Sequence, residues 1–189
     1  MADNQNPPIN RIADPAPLGL MAFGMTTVLL SFHNLGLFGL DSSILNMGIF
    51  YGGLAQIIAG IFEFKRGNTF GATAFTSFGF FWLSFVAINT GMLTDIGSES
   101  AAVGAYFAIW GLMTFFMFIG TLKSPVSLRV VFFTLTILFF VVAAKDLSGI
   151  AEIAYVAGAV GIICGGSAMY TAAGHIINEQ HGRNAVPLG

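Results

Sequence analysis

AAVGAYFAIWGLMTFFMFIGT, residues Ala101–Thr121, runs for 21 residues without an Asp, Glu, Lys or Arg. A helix rises about 1.5 Å per residue, so this segment is long enough for a hydrocarbon core about 30 Å thick. Five further stretches read the same way: Pro17–Phe38, Ser42–Phe64, Thr69–Thr90, Val126–Ala144 and Ile153–His175. Only 8% of the 189 residues are charged and 56% are hydrophobic, whereas about a quarter of a soluble domain is charged. The fold class is therefore an all-α integral membrane protein with six transmembrane helices. The expected organisation is an N-terminal segment over residues 1–16, a six-helix membrane domain over 17–176 and a short tail over 177–189. The connections leave no room for a soluble catalytic module. The first apolar stretch is expected to remain as a span, because it is too long for a signal peptide and lacks a basic segment directly before it.

Basic residues near span ends stay on the cytoplasmic side. With six spans, one side receives Arg11, Lys65, Arg66, Lys123, Arg129 and Arg183, and only Lys145 falls opposite. The opposite loops collect Asp41, Asp95, Glu99, Asp146 and Glu152. Both termini are expected in the cytoplasm, in a multi-pass arrangement that suits a prokaryotic plasma (inner) membrane. A net charge of −2, with no basic patch, gives no purchase for nucleic acid. Cys164 is the sole cysteine, which excludes an intrachain disulfide and a cysteine-based metal cluster; it reads as a small buried hydrophobe.

Helices in lipid have no hydrophobic force drawing them together, so small residues mark the faces where backbones approach. Gly48, Gly52, Gly53, Ala55, Ala59 and Gly60 mark the second span, and Ala157, Gly161, Gly165 and Ala168 the sixth. These are packing faces first, although some of the glycines can also widen a path between helices. Polar residues within spans need partners or a cavity. At 3.6 residues per turn, Phe23, Thr26, Thr27, Leu30 and Asn34 share one stripe of the first helix. Asn46, Gly53, Gln56, Gly60 and Glu63 share one of the second, and Thr69, Thr73, Thr76, Ser77 and Ser84 one of the third. Three such stripes suit a bundle around a narrow, partly wet path, and equally suit hydroxyls bonded to their own backbone.

Several chemistries have no residues to carry them. No charged side chain sits mid-span, and Glu63, Arg129, Lys145 and Glu152 all lie near ends, which argues against a pump built on a buried carboxylate relay. His33, His175 and His181 fall on different segments, so paired haem or metal ligation is not expected, and neither a metal nor another cofactor is. There is no nucleotide-binding loop, no HExxH and no nucleophile beside a base; the chain does not read as an enzyme. His33, next to Asn34 at the outer end of the first helix, is the best-placed histidine for meeting an anion at an outer vestibule.

The run Asp14-Pro15-Ala16-Pro17-Leu18-Gly19-Leu20 at the entry to the first span resembles the signature of the acetate uptake transporter family. The blocks FGMTTVLLSFHNLG (Phe23–Gly36), MGIFYGGLAQIIAGIFEFKRGNTFG (Met47–Gly71), TAFTSFGFFWL (Thr73–Leu83), MFIGTLKS (Met117–Ser124) and ICGGSAMY (Ile163–Tyr170) resemble that family in the same order. The likeness runs from Asp14 to about Leu188. It implies a homo-hexamer of six-helix subunits, each moving acetate and succinate through its own path. It also implies a hydrophobic constriction, which falls on Phe23, Leu135 and Phe78, with Phe78 where the family has Tyr. Asp14 stands where the family has Asn, a carboxylate placed to cap the first helix. By the same resemblance Thr26 and Gln56 are polar positions along the path, and Ala168 is a small position tied to substrate size.

Carboxylate anions are strongly disfavoured in hydrocarbon while the neutral acid is not. An apolar neck can exclude bulk ions by dewetting, with Thr27, His33 and Asn34 available to a carboxylate at its mouth. The expected function is therefore a membrane channel or transporter for acetate and related short carboxylates such as succinate, by passive or proton-linked passage in which the permeant shares a proton as it passes the neck. Two other readings stand beside it. One is a channel for a small neutral amide such as urea; the other is a non-transporting membrane assembly subunit whose small-residue faces are only interfaces.

Overall fold

The computed structural model describes residues 12–93 and 97–189. Arg11 and Asp95, both counted in the charge asymmetry, lie outside the described residues. Among the described residues every regular element is helical, and six helices are long and apolar enough to cross a membrane: Ala16–Asn34, Ser42–Arg66, Thr69–Thr90, Ser100–Gly120, Val126–Ser148 and Ile153–His181. They are called the first to sixth helices. The first packs on the sixth and the second; the second packs on the third; the fifth lies between the fourth and the sixth.

Local chemistry sets the ends. The Asp41 carboxylate caps the second helix, accepting from the Ser43 amide at 2.9 Å, the Ser43 hydroxyl at 2.6 Å and the Ile44 amide at 3.3 Å. These bonds, led by the Ser43 hydroxyl, hold the Asp41 carboxyl below its ordinary value. The second and third helices meet at a two-residue corner. Gly67 has φ of 74°, a left-handed conformation that glycine adopts without a Cβ penalty, and the Asn68 side-chain oxygen accepts from the Gly71 amide at 3.1 Å to start the next helix. Asp14, by contrast, is not the cap residue of the first helix. That position is Pro15, and the Asp14 carboxylate instead accepts from the Ala16 amide at 3.1 Å while pairing with Arg66.

The small-residue faces are where backbones touch. A Cβ placed on Gly165 would stand 2.6 Å from the Gly24 carbonyl oxygen, and one on Gly24 would stand 2.6 Å from the Gly165 carbonyl, so the first and sixth helices cross at glycine against glycine. A Cβ on Gly79 would meet the Gly53 carbonyl at 2.8 Å, which fixes the second helix against the third.

The second helix is not uniformly α. Gly48–Ala55 forms a π-helix, whose i→i+5 bonding adds a residue to each turn. Ile44, Gly48, Gly52 and Gln56 consequently recur in steps of four on the buried side. Asn46, expected on the same stripe as Gly53 and Gln56, is exposed, because the wide turns break the 3.6-residue register between them. The third helix departs as well. Thr69 and Thr73 are exposed, and its inner face is carried by Ala74, Phe75, Phe78, Phe81 and Trp82, so its polar stripe does not line the interior along its length.

Candidate functional site

Phe78 sits at the centre of the bundle with its ring 6.2 Å from each of four others: Phe23 of the first helix, Trp110 of the fourth, and Phe132 and Phe139 of the fifth. Rings at such separations attract through their quadrupoles beyond simple burial. Phe23, Phe78 and Leu135 belong to one buried cluster. The hydroxyl that a Tyr would carry is absent from a position surrounded by rings.

Two cavities lie on either side of this cluster. The larger, 440 Å³, has Phe23 and Leu135 on its wall together with Thr27, His33, Asn34 and Lys145; its volume falls within the usual range for small-molecule pockets. It is called the His33 cavity. The smaller, 250 Å³, is walled by Leu20 and Phe132 on its apolar side and by Asp14, Glu63, Arg66 and His175 on its polar side. It is called the Glu63 cavity. His33 and His175 thus line different cavities. The apolar cluster holding Phe78 contributes Phe23 and Leu135 to one cavity and Leu20 and Phe132 to the other.

In the His33 cavity the ring Nδ1 of His33 lies 3.0 Å from the Phe38 carbonyl. The Thr27 hydroxyl donates to the Phe23 carbonyl at 2.8 Å, leaving its lone pairs, rather than its proton, to anything else. Lys145 pairs with Asp146 at 3.0 Å. Two groups not singled out by sequence reasoning also belong here. The Trp82 indole nitrogen is buried without an acceptor, and the Tyr106 hydroxyl bonds with Ser84 Oγ at 2.6 Å. Both sit within apolar runs where a tryptophan or tyrosine gives no periodic signal of its own.

The Glu63 cavity holds a side chain whose burial hydropathy did not reveal. Glu63 is 0% exposed. Its Oε2 accepts from the Asn68 amide nitrogen at 3.0 Å, and its Oε1 has no partner. The usable signal was local: a Gly-Asn corner five residues after a Glu turns that carboxylate inward beneath the corner.

Three residues expected along a path lie off both cavity walls. The Thr26 hydroxyl donates to the Ala22 carbonyl at 2.7 Å and the side chain is fully buried. Gln56 is buried with its Oε1 unpartnered. Ala168 packs in the cluster that contains Phe23 and Leu135. Of the signature residues, Asp14, Ala16 and Leu20 reach the Glu63 cavity; Pro17 and Gly19 are buried, and Leu18 is exposed.

The model of the GPR1/FUN34/yaaH family matches residues 2–187. The chain belongs to that family. The resemblance carried by the Asp14–Leu20 signature and the blocks after it is thereby borne out. A succinate-acetate/proton symporter, SatP, of Escherichia coli (strain K12) is 54% identical over 183 residues, 95% of this chain and 96% of the relative. Ammonia transport outward protein 2 of Saccharomyces cerevisiae is 37% identical over 186 residues, covering 92% of this chain and 65% of the relative. A solved structure of the bacterial acetate channel SatP superposes with a TM-score of 0.92 at 53% identity, over 95% of this chain and 100% of that one. With a symporter and a channel among its relatives, the chain is a transporter or channel family member and not an enzyme.

Proposed function

We propose that this chain carries acetate and related short carboxylates such as succinate across the membrane together with protons, through a path within the subunit. The observation that carries the path is the pair of cavities, each holding a few polar side chains in a largely apolar wall, set on either side of one apolar cluster; the permeant class comes from the named relatives. The neck is Phe23, Phe78 and Leu135. The His33 cavity is the outer vestibule, where His33 and Asn34 meet the carboxylate while Thr27, its proton held by the Phe23 carbonyl, is left to accept from a protonated acid, and the Glu63 cavity is the cytoplasmic one, with both termini on that side. The clustering of Lys65, Arg66, Lys123 and Arg183 near the Glu63 end supports this orientation. Thr26, Gln56 and Ala168 act from behind the path, setting the width of the wall rather than touching the permeant.

An anion passing a neck of aromatic and aliphatic side chains loses hydration without replacement, which is strongly unfavourable. Carrying a shared proton removes that barrier, so carboxylate and proton move together. Subunits assemble as a homo-hexamer. The exposed apolar face of the fourth helix, including Ile109, Leu112 and Phe116, and that of the second, including Phe50 and Leu54, supply surfaces for neighbours and lipid.

The test is labelled-acetate uptake by liposomes containing the purified protein, in competition with unlabelled succinate and with urea. Succinate is expected to reduce uptake and urea to leave it unchanged. Competition by urea alone would transfer the reading to a neutral amide, and absence of protein-dependent flux would mark an assembly subunit.

A further inference from the structure

Glu63 contributes a fully buried carboxylate to the wall of the Glu63 cavity, and one of its two oxygens has no hydrogen-bond partner. A buried carboxylate oxygen without a donor is costly in its charged form and becomes a donor itself once protonated. The charged and titratable groups facing it from the surrounding elements do not supply a counter-ion of its own. Asp14, ahead of the first helix, and Arg66, on the second, are paired with each other. His175 of the sixth helix lies on the same cavity wall, with no bond to Glu63. The third helix offers Asn68 at its start, which already donates to Oε2. The fifth offers only Ser127, Leu128 and Phe132 to this cavity, and Arg129 is not on its wall.

We infer that Glu63 is the proton acceptor on the cytoplasmic side of the neck. This rests on the carboxylate–proton reading above and assigns that proton an atom. A permeant acid that has crossed the neck arrives in the cavity beside Leu20 and Phe132. Its O–H bond breaks, and the proton passes to Glu63 Oε1, so the permeant leaves as a carboxylate anion and Glu63 becomes a neutral acid. Loss of the proton from Glu63 to water on the cytoplasmic side restores the carboxylate. One proton and one carboxylate have then crossed. Asn68 is a positioning residue: by holding Oε2 it leaves Oε1 for the exchange.

The deciding experiment compares wild type with Glu63→Gln in proteoliposomes, measuring both net acetate uptake driven by an inward proton gradient and acetate–acetate exchange at equilibrium. Gln keeps the shape and an oxygen for Asn68 but cannot accept the proton. Net uptake requires proton release, whereas exchange allows an acid to leave with the proton it brought. Net uptake is expected to fall about tenfold or more, and exchange to fall far less. Gradient-driven uptake by the variant at the wild-type rate would overturn the assignment while leaving proton-coupled transport standing. Equal loss of both fluxes would also overturn it, marking Glu63 as structural. A wild type that only equilibrates acetate would remove the coupling itself. Should Glu63→Gln fail to fold, the exposed residues Glu99, Glu152 and Glu179 can be replaced by Gln, leaving Glu63 as the sole glutamate. Infrared difference spectra with carbonyl-labelled glutamate are then expected to show conversion between carboxylate and carboxylic acid on adding acetate. Unchanged bands would overturn the proposal.

Discussion

Gly165 and Gly166 are neighbours on the sixth helix with opposite surroundings, and replacing each by Ala isolates the helix crossing. Both substitutions remove a glycine from a helix interior, worth up to about 1 kcal/mol in favour of Ala by intrinsic preference. At Gly166 a Cβ meets nothing within 4 Å, so Gly166→Ala is expected to be neutral or slightly stabilising. At Gly165 the Cβ would lie 2.6 Å from the Gly24 carbonyl oxygen, 2.8 Å from Val28 Cγ2 and 3.1 Å from the Val28 amide nitrogen. Two of those atoms are backbone and cannot rotate away, so the first and sixth helices must separate. Overpacking of this kind costs about 1–3 kcal/mol, which outweighs the propensity gain. The assay is reversible unfolding in mixed micelles, read by tryptophan fluorescence from Trp82 and Trp110. Gly165→Ala as stable as Gly166→Ala would refute the close crossing and the reading of these glycines as packing contacts.

Further outcomes follow from other parts of the molecule. Leu135→Ala removes a buried side chain from the neck, with a stability loss of about 2–5 kcal/mol, and should admit bulkier acids; an unchanged substrate profile in competition uptake would count against Leu135 lining the path. Asp41→Ala should loosen the start of the second helix, seen as faster hydrogen exchange at the Ser43 and Ile44 amides. Since the Asp41 carboxyl is held below its ordinary value, its contribution is present above that value and disappears as pH falls through the lowered one; exchange at these amides that ignores acidification would oppose the assignment. The Asn178 side chain donates to the Val186 carbonyl at 2.9 Å and accepts from the Val186 amide at 2.7 Å. Asn178→Ala, at about 1 kcal/mol per bond, should free this strap, with proteolysis near Val186 rising at least several-fold.

The spans were readable because hydropathy depends on composition more than on geometry. The third helix begins and ends at Thr69 and Thr90 in both readings, and the fourth shifts by a single residue at each end. Phe38 was lost from the first helix because the chain turns at Gly36, with φ of 74°, four residues before apolar character stops. The π-helix at Gly48–Ala55 was not legible, since its residues satisfy an α pattern equally well; the misplacement of Asn46 follows from it. Glu63 was legible as a member of the polar stripe of the second helix, and it does line a cavity; its complete burial was not legible, because it depends on the corner formed by Gly67 and Asn68. The apolar cluster was visible as individual Phe and Leu residues, but the placing of cavities above and below it depends on which helices cross, information carried by glycine contacts between distant segments. The tail after the sixth helix was read only as a short tail, with no sign of what it would bind. The Tyr170 hydroxyl donates to the Pro187 carbonyl at 2.5 Å and the Ser127 amide to the Leu188 carbonyl at 2.9 Å, one side-chain and one backbone bond between distant segments that no local pattern announces.

The central claim is tested most directly by uptake of labelled acetate into liposomes containing the purified protein, with and without an imposed inward proton gradient, after subtraction of the leak of empty liposomes. The account predicts protein-dependent accumulation above equilibrium only when the gradient is present. Equilibration indifferent to the gradient, or no protein-dependent flux at all, would contradict it.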